Sequence, residues 1–411
     1  MPSSTCRACD APLERVFADL RSSPLANSYL EPDRLAAPEP YFPLTVYVCE
    51  RCRLVQLPAW ESPENIFSDY AYFSSFSDSW LDHARRYVEA VTERFGLGGD
   101  SRVVEVASND GYLLQYFVER GIPVLGIEPA ANVARAAVDR GIPTRVEFFG
   151  ADGARRLVEE GTRADLLLGN NVLAHVPDIR DFVTGLATLL APTGVLTMEF
   201  PHLLRLIEQN QFDTIYHEHY SYLSLAVVRS LFAARGLTVF DVEELPTHGG
   251  SLRVFARREE DSSKPVEDRV GALLEVEREA GLEDLETYDR FDERVRETKR
   301  KLLEFLIRVR REGASVVGYG AAAKGNTLLN YCGIGTDLVD YVVDRSPHKQ
   351  GRYLPGSRLP IHAPEKIAET RPDYVLVLPW NLVDEIVGQM AHVRDWGGRF
   401  CVAIPELTIV G

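Results

Sequence analysis

Apolar positions in residues 77–95 repeat at the spacing of an amphipathic helix, and the repeat falls on Trp80, Leu81, Ala84, Tyr87, Val88 and Val91. The glycine-rich run that follows ends this helix. Beyond it, short apolar strands alternate with helix patterns. The predicted strands are 102–107, 124–127, 144–149, 165–169 and 194–200, and the helices between them are 112–120, 131–140, 153–160 and 178–190. This alternation predicts a parallel, doubly wound α/β sheet.

The pattern changes after residue 220. A helix pattern at 225–235 is followed by strands at 237–243 and 252–256, with His248-Gly249-Gly250-Ser251 between them. Five parallel units closed by such an antiparallel hairpin are typical of class I methyltransferases rather than of a plain dinucleotide-binding fold.

The C-terminal part opens with a charged segment, 258–312, whose leucines are spaced as in amphipathic packing helices. A second α/β unit follows, with predicted strands at 315–319, 338–343, 374–378 and 400–404. Since 411 residues exceed one ordinary core, we predict several domains. They are an N-terminal domain at 1–75, a class I methyltransferase domain at 76–257, and a helical connection with a Rossmann-like α/β domain at 258–411.

The charge of the chain limits its partners. A formal net charge of -16 argues against a nucleic-acid partner, which would require a basic face. No apolar run is long enough to span a bilayer, and the N-terminus lacks the apolar segment of a secretory signal. We therefore expect a cytoplasmic protein that does not associate with membranes, present as a monomer or homodimer.

Four of the six cysteines form two C-x2-C pairs, Cys6 with Cys9 and Cys49 with Cys52. In a chain without a secretion signal, this pattern indicates a metal site rather than disulfides. Four thiolates satisfy the tetrahedral preference of Zn²⁺ and leave no position for water, so the zinc is expected to be structural. We expect the intervening residues 10–48 to fold as a small β-rich cap. Four free thiols or redox pairs are the alternative.

The first strand of the methyltransferase unit ends in an incomplete cofactor motif. Sites for S-adenosylmethionine (SAM) commonly carry E/D-x-G-x-G-x-G here, so that the backbone can approach the cofactor closely. Glu105 and Gly111 keep this pattern, whereas Ala107 and Asn109 replace two glycines. Glu128 ends the second strand about twenty residues on, where a carboxylate can hold the ribose hydroxyls of an adenosine ligand.

Two further side chains complete the predicted cofactor ring: Asp152 after the third strand and Asn170 after the fourth. The alternative is a Rossmann oxidoreductase that binds NAD. Missing glycines near a pyrophosphate would weaken NAD binding more than SAM binding, because SAM has no phosphate. The motif therefore favours SAM.

Residues 215–222 read Ile-Tyr-His-Glu-His-Tyr-Ser-Tyr, the densest run of proton donors and acceptors in the chain. Its place after a strand of the α/β domain indicates proton-transfer chemistry on a bound small molecule. On a helix Tyr216 and His219 would share one face, whereas on an extended loop His217 and His219 would. The sequence leaves both conformations open. A metal site at the two histidines is less favoured, since no third ligand is nearby.

A second glycine-rich turn follows the strand at 315–319. Tyr319 and Gly320 lead into Lys324 and Asn326, which open a helix. Backbone N–H groups freed by glycine, together with a lysine, can bind phosphate. A plain βα turn is the alternative, and Asp344 after the next strand either holds a ribose hydroxyl or caps a helix with Ser346.

These strings together resemble the sugar-nucleotide C-methyltransferases of antibiotic deoxysugar pathways. The resemblance covers nearly the whole chain and rests on the cysteine pairs, 105–111, 216–222, 248–253 and 318–327. It implies a zinc-binding domain, a SAM domain and a C-terminal domain that helps to hold a TDP-linked 4-keto sugar. The family's catalytic residues fall on Tyr216, Glu218 and His219, with Tyr70 and His175 as further members. Ala322 departs from the proline expected in the glycine-rich loop.

The chemistry that this resemblance implies begins with a carbanion, because carbon is a poor nucleophile. A keto group at C4 acidifies the hydrogen at C3 or C5, and a base removes it. We predict His219 as the base, with Glu218 or Tyr216 orienting it or stabilising the enolate oxygen, and His175 as the second candidate. His248 and Arg253 are predicted substrate contacts. The alternatives are an NAD-linked oxidoreductase or epimerase of the same sugars, and a C-5 methyltransferase.

Overall fold

The computed structural model describes residues 5–67, 73–76 and 78–410, which form three sheets. Their strands are β1 Arg15–Ser23, β2 Phe42–Val48, β3 Val55–Gln56, β4 Val103–Val106, β5 Val124–Ile127, β6 Thr144–Arg145, β7 Ala164–Asn170, β8 Leu190–Pro201, β9 Ser221–Tyr222, β10 Leu237–Leu245, β11 Ser251–Arg258, β12 Val316–Tyr319, β13 Val342–Val343, β14 Ile361–His362, β15 Tyr374–Val377, β16 Arg399–Val402 and β17 Thr408–Val410.

The α-helices are α1 Pro63–Phe67, α2 Asp78–Phe95, α3 Leu114–Val118, α4 Ala131–Asp139, α5 Ala151–Glu159, α6 Ile179–Leu189, α7 Leu203–Glu208, α8 Leu225–Ala233, α9 Asp268–Glu279, α10 Leu285–Asp289, α11 Phe291–Arg311, α12 Ala323–Cys332, α13 Lys366–Thr370 and α14 Val383–Gln389. None of the described helices is long and apolar enough to cross a membrane.

The N-terminal sheet has the order β1-β2-β3-β9 and is antiparallel throughout. Phe17, Ala18 and Leu20 are buried on β1, and Phe17 stacks on Phe291 of α11 with 4.4 Å between ring centroids. The last strand of this sheet, β9, comes from the middle of the chain and forms the end of the acid/base run. The N-terminal sheet therefore anchors that run from one side.

The central sheet has the order β10-β11-β8-β7-β4-β5-β6. Strands β8, β7, β4, β5 and β6 are parallel, and β11 and β10 are antiparallel. This order confirms the predicted class I methyltransferase sheet with its closing hairpin. The carboxyl ends of β4 and β7 meet at the point where the strand order reverses, which is where ligands bind in such sheets.

The C-terminal sheet has the order β14-β13-β12-β15-β16-β17, parallel except for β17. The connecting segment forms α9, α10 and α11, as predicted. The buried face of α11 packs in the same core as the N-terminal and C-terminal sheets. The first and third sheets are thus held together by one long amphipathic helix.

Two predicted strands are shorter than the apolar pattern indicated. The strand predicted at 144–149 ends at Arg145, because β6 is the edge strand and Val146 and Phe148 beyond it are 56% and 42% exposed. The strand predicted at 338–343 shrinks to Val342–Val343, because Leu338 and Val339 both donate to the Gly335 carbonyl in a turn. The short strands β14 and β17 gave no recognisable pattern.

Candidate functional site

The cofactor loop after β4 has a left-handed backbone at all three glycine positions of the common motif. The φ angles are 57° at Ala107, 50° at Asn109 and 77° at Gly111. A Cβ on Gly111 would lie 2.3 Å from the end of the Ile142 side chain, which would have to move, so glycine is favoured there. Asparagine tolerates the left-handed region, whereas alanine is strained in it. The loop thus keeps the cofactor-binding shape although two glycines are absent.

Ala107→Gly should stabilise the protein, because glycine relieves this strain. We expect the free energy of unfolding to rise by up to about 1 kcal/mol, after the larger backbone entropy of glycine is subtracted. The matched control is Ala136→Gly within α4, which should lower it by about 1 kcal/mol. Denaturant titration of both variants measures the two signs, and a destabilised Ala107→Gly would contradict the strain argument.

Two carboxyl groups, those of Glu105 and Glu128, lie next to this loop. Glu105 is fully buried, and burial together with the nearby Glu128 and Asp110 raises its pKa well above the ordinary value. Glu128 accepts the N–H groups of Asn109 and Ala130, each at 2.9 Å. It therefore fixes the loop to the start of α4. Its remaining lone pairs are available for ribose hydroxyls.

The other two predicted cofactor residues differ in position. Asn170 ends β7, and its side-chain N–H donates to the Tyr112 hydroxyl at 3.3 Å. Asp152 lies in the first turn of α5 with its side chain 82% exposed and paired with Arg155. Asn170 thus lies at the carboxyl end of a central strand, whereas Asp152 lies on the exposed start of α5, after the edge strand β6.

Residues 215–220 of the acid/base run form neither a helix nor a strand, and its last two residues form β9. Its centre is a turn in which the His219 N–H donates to the Tyr216 carbonyl at 2.9 Å. This turn brings the rings of Tyr216 and His219 together, with 4.0 Å between their centroids. Tyr220 then donates its N–H to the Ala174 carbonyl, which places the His175 ring 4.7 Å from that of His219. The two candidate bases, from different parts of the sequence, thus lie side by side.

The protonation state of His219 follows from its contacts. Its Nδ1 lies 2.7 Å from the Thr214 carbonyl, which can only accept, so Nδ1 carries the hydrogen and Nε2 is unprotonated. Burial and the neighbouring His175 hold the pKa of His219 well below its usual value. Burial likewise lowers the pKa of His175 to about 4. At neutral pH both imidazoles are neutral, and Nε2 of His219 can accept a proton.

His217 and Glu218 face the N-terminal domain. The buried His217 ring contacts the Pro43 carbonyl at 3.2 Å and packs against Phe42. Glu218 accepts a hydrogen bond from the Asn27 side chain at 2.6 Å. Glu218 and Asn27 line a cleft of about 490 Å³, together with Leu25, Ser28, Tyr29, Asn65, Ile66, Phe73, Asn132, His348 and Arg352. Loops and helices from the N-terminal, central and C-terminal parts of the chain thus line one cleft at the acid/base turn.

His248 lies near the carboxyl end of β7 in the central sheet. It has φ 55°, its Nε2 is 3.2 Å from the Asn171 amide nitrogen, and its ring is 5.2 Å from that of Trp80. Burial lowers its pKa to about 4. The structure therefore supports a place for His248 next to the end of β7.

Arg253 is engaged within the protein. Its guanidinium pairs with the buried Glu199 at 2.7 Å and with Glu243 at 3.1 Å, and it lies 4.5 Å from the Tyr87 ring. Although burial opposes it, the pairing of Glu199 with His83 and Arg253 holds the pKa of that carboxyl at about 2. Because its charge is already compensated, Arg253 is better placed to hold the strand end than to bind an anion.

Several polar groups in and beside the glycine turn after β12 form hydrogen bonds within the protein. Gly320 has φ 93°, and a Cβ there would lie 2.5 Å from Pro379. Asp344 accepts the N–H groups of Ala321 and Ser346, each at 2.8 Å, so it ties the glycine turn to the loop after β13 and caps neither α12 nor another described helix. The buried Asn326 donates to the Ala26 carbonyl at 3.0 Å and thereby fixes the N-terminal insert. Lys324 points to Trp380 and Asn381, and Tyr319 is buried at the end of the strand.

The four predicted metal ligands meet in one cluster. The sulfurs of Cys6, Cys9, Cys49 and Cys52 all lie within 4.8 Å of one another. A tetrahedral zinc with Zn–S bonds of about 2.3 Å requires sulfur separations of about 3.8 Å. The two knuckles have the same backbone hydrogen bond. The backbone N–H of Asp10 donates to the Cys6 carbonyl, and that of Arg53 donates to the Cys49 carbonyl, each at 2.9 Å. The donor set therefore fits a structural zinc.

Several contacts were missed by the sequence analysis. Asn27 could not be linked to Glu218 from spacing, because 191 residues separate them. Asp213 is a fully buried carboxyl only a few residues before the acid/base run, and its apolar neighbour Phe212 was a usable signal of burial. Tyr70, predicted as catalytic, lies outside the described residues.

The depressed histidine pKa values predict an unusual pH profile. A base acts in its unprotonated form, so activity is retained above its pKa and lost as the pH falls through it. Because the pKa of His219 lies well below 6.5, protonation of this imidazole should not lower kcat/KM between pH 7.5 and about 5.5, and any acid limb in this range should come from Asp213, whose pKa burial raises to about 6. An acid limb centred near 6.5 that persists in Asp213→Asn, measured at saturating cofactor, would contradict this assignment.

Three family models match the chain in order. Residues 6–67 match a zinc-binding domain, 80–242 a methyltransferase domain and 246–405 the C-terminal domain of C-methyltransferases. The chain is 39% identical over 412 residues to the C-methyltransferase NovU of Streptomyces niveus, covering 100% of this chain and 97% of that protein.

Two other similarities are partial. A ubiquinone biosynthesis O-methyltransferase of Rhodopseudomonas palustris is 30% identical over 156 residues, which cover 32% of this chain and 60% of that protein. The SAM-bound magnesium protoporphyrin IX methyltransferase of Synechocystis gives a TM-score of 0.33 at 16% identity, covering 47% of this chain and 88% of that one, and carries no weight here. The full-length similarity favours a methyltransferase over the NAD-linked alternative.

Proposed function

Because this chain belongs to the C-methyltransferase family, we propose that it methylates a ring carbon, C-3, of a TDP-linked 4-keto deoxysugar in antibiotic sugar biosynthesis. It is a SAM-dependent methyltransferase with a zinc-binding N-terminal domain. When bound, SAM supplies an electrophilic methyl group. The cofactor would be held by the left-handed loop 107–111, by Glu128 and by Asn170.

The observation that carries the proposal is the pair of neutral imidazoles at the end of β7. Nδ1 of His219 is fixed by the Thr214 carbonyl at 2.7 Å, so its Nε2 lone pair has a defined direction. In the proposed reaction this nitrogen removes the hydrogen from the carbon next to the ketone. A directed, neutral base can remove the proton from the carbon next to the ketone, which carbon alkylation requires.

The remaining residues have supporting roles in this proposal. Tyr216 lies against the His219 ring and orients it, while Glu218 and Asn27 face the sugar from the interdomain cleft. The turn at Tyr319 and Gly320, at the start of α12, is the proposed contact for the diphosphate. His248 is proposed to border the sugar from the side of the central sheet.

Turnover of a defined panel of sugars tests this function. The protein is incubated with SAM and with TDP-4-keto sugars that differ at C-3, and the new methyl is located by NMR. A methyl on C-3 supports the proposal, and a methyl on C-5 would move the reaction to the other flank of the ketone. A methyl on oxygen would contradict the enolate mechanism.

A further inference from the structure

Lys324 extends from the first turn of α12 towards the acid/base turn. Its ammonium donates to the Asn381 side-chain oxygen at 2.7 Å and lies 4.7 Å from the centre of the Trp380 ring. These two neighbours come from the loop after β15 and fix the direction of the side chain. An ammonium has three N–H groups, and Asn381 takes one of them.

The countercharge of Lys324 is Asp213, which is fully buried. One Asp213 oxygen accepts the Trp380 indole N–H at 2.8 Å, and the other is buried with no hydrogen-bond partner among the described residues. Asp213 lies in the short turn Phe212–Thr214, which packs on α12 and whose last carbonyl anchors His219. Lysine, carboxylate and candidate base are thus arranged around a single turn.

The ammonium of Lys324, the Asp213 carboxylate and the nearby imidazoles influence one another's pKa values. Burial raises the pKa of Asp213 to about 6, and Lys324 opposes this rise. Burial lowers the pKa of Lys324, and Asp213 opposes that change. Lys324 also contributes to the lowered pKa values of His219 and His248. Lys324 is thus linked through Trp380 and Asp213 to the turn whose carbonyl anchors His219.

We infer that Lys324 is a catalytic residue that stabilises the enolate oxygen formed at C4, and that Trp380 and Asp213 position it. The inference rests on the proposed function. As Nε2 of His219 takes the proton from C3, the C–H electron pair forms the C3–C4 double bond. The carbonyl π pair moves onto the C4 oxygen, where a Lys324 N–H meets the developing charge. The proton remains on His219, so atoms and charge balance.

This role differs from the phosphate contact that the sequence alone suggested for Lys324. The first turn of α12 offers both kinds of group, so its backbone N–H groups are the proposed diphosphate contact and its lysine is the proposed ketone contact. The phosphate role predicts a loss of affinity, whereas the oxyanion role predicts a loss of rate.

Hydrogen exchange in D₂O separates these roles. The wild-type protein and Lys324→Gln are incubated with a TDP-4-keto sugar without SAM, and deuterium entering the carbon beside the ketone is followed by NMR. Glutamine keeps a donor for Asn381 but removes the charge. We expect exchange to fall about 10²–10³-fold, while the dissociation constant of the TDP-sugar changes by less than about threefold.

A double variant controls for the buried carboxylate. Lys324→Gln/Asp213→Asn removes both charges, so a fold disturbed only by the unpaired Asp213 would recover, and exchange should nevertheless stay slow. Recovered exchange in the double variant would overturn the inference, as would a wild-type exchange rate in Lys324→Gln or a loss confined to affinity. If the wild-type protein exchanges no hydrogen, the proposed enolate chemistry itself is wrong and the inference falls with it.

Discussion

His219→Asn should reduce the rate of methyl transfer about 10²–10⁴-fold, the range expected when a positioned general base is removed. Asparagine can still donate to the Thr214 carbonyl, so the turn is kept while the basic nitrogen is lost. Binding of SAM should be unchanged, since the loop 107–111 and Glu128 are untouched. Single-turnover kinetics and calorimetry of cofactor binding measure the two quantities.

The matched control is His217→Asn in the same turn. His217 packs against Phe42 and contacts the Pro43 carbonyl, away from His219, so its loss should lower stability but leave most of the turnover. If His219→Asn keeps the wild-type rate and His175→Asn loses it, then the ring beside His219 is the base. If His219→Asn and His217→Asn lower the rate of methyl transfer equally, the substitutions have disturbed the turn rather than removed a base.

Removal of zinc should unfold the N-terminal domain and abolish activity, although no metal ligand belongs to the acid/base turn. Structural zinc sites of this type contribute on the order of 10 kcal/mol to folding. Arg7, between Cys6 and Cys9, donates to the Tyr220 carbonyl at 2.8 Å and to the Leu57 carbonyl. The metal knuckle thereby holds the end of the acid/base turn in place.

Cys49→Ser tests this connection, with Cys332→Ala as the control because Cys332 is a buried thiol far from the cluster in sequence. Metal content, thermal unfolding and turnover are measured for both. We expect Cys49→Ser to lose zinc, unfold at lower temperature and lose activity, while the control keeps all three. Full activity of a zinc-free protein would contradict the structural role of the metal.

The sequence predicted the parts of the fold that depend on local periodicity. The helix Asp78–Phe95 and the strand Val124–Ile127 lie where the apolar pattern placed them, and the order of the central sheet followed from alternation of strands and helices. The edge strand β6 was overestimated because its flanking valine and phenylalanine are apolar but exposed. The apolar pattern of a sequence predicts a buried strand correctly only where that strand has a neighbouring strand on each side.

The candidate site was predicted in composition rather than in geometry. The acid/base run identified His219, but its turn conformation depends on pairing between β9 and β3, which residues far apart in sequence determine. For the same reason spacing could not show that Asn326 holds the N-terminal insert or that Lys324 points to Trp380 and Asn381. The three left-handed positions of the cofactor loop could have been expected, since the motif sets them.

The proposed base-catalysed methylation depends on where His219 lies relative to the substrate. A crystal structure of the protein with S-adenosylhomocysteine and a TDP-4-keto sugar measures this directly. We predict Nε2 of His219 within about 3.5 Å of C3, as a near-attack geometry requires. A complex in which no titratable side chain approaches either carbon beside the ketone would contradict the proposed base-catalysed methylation.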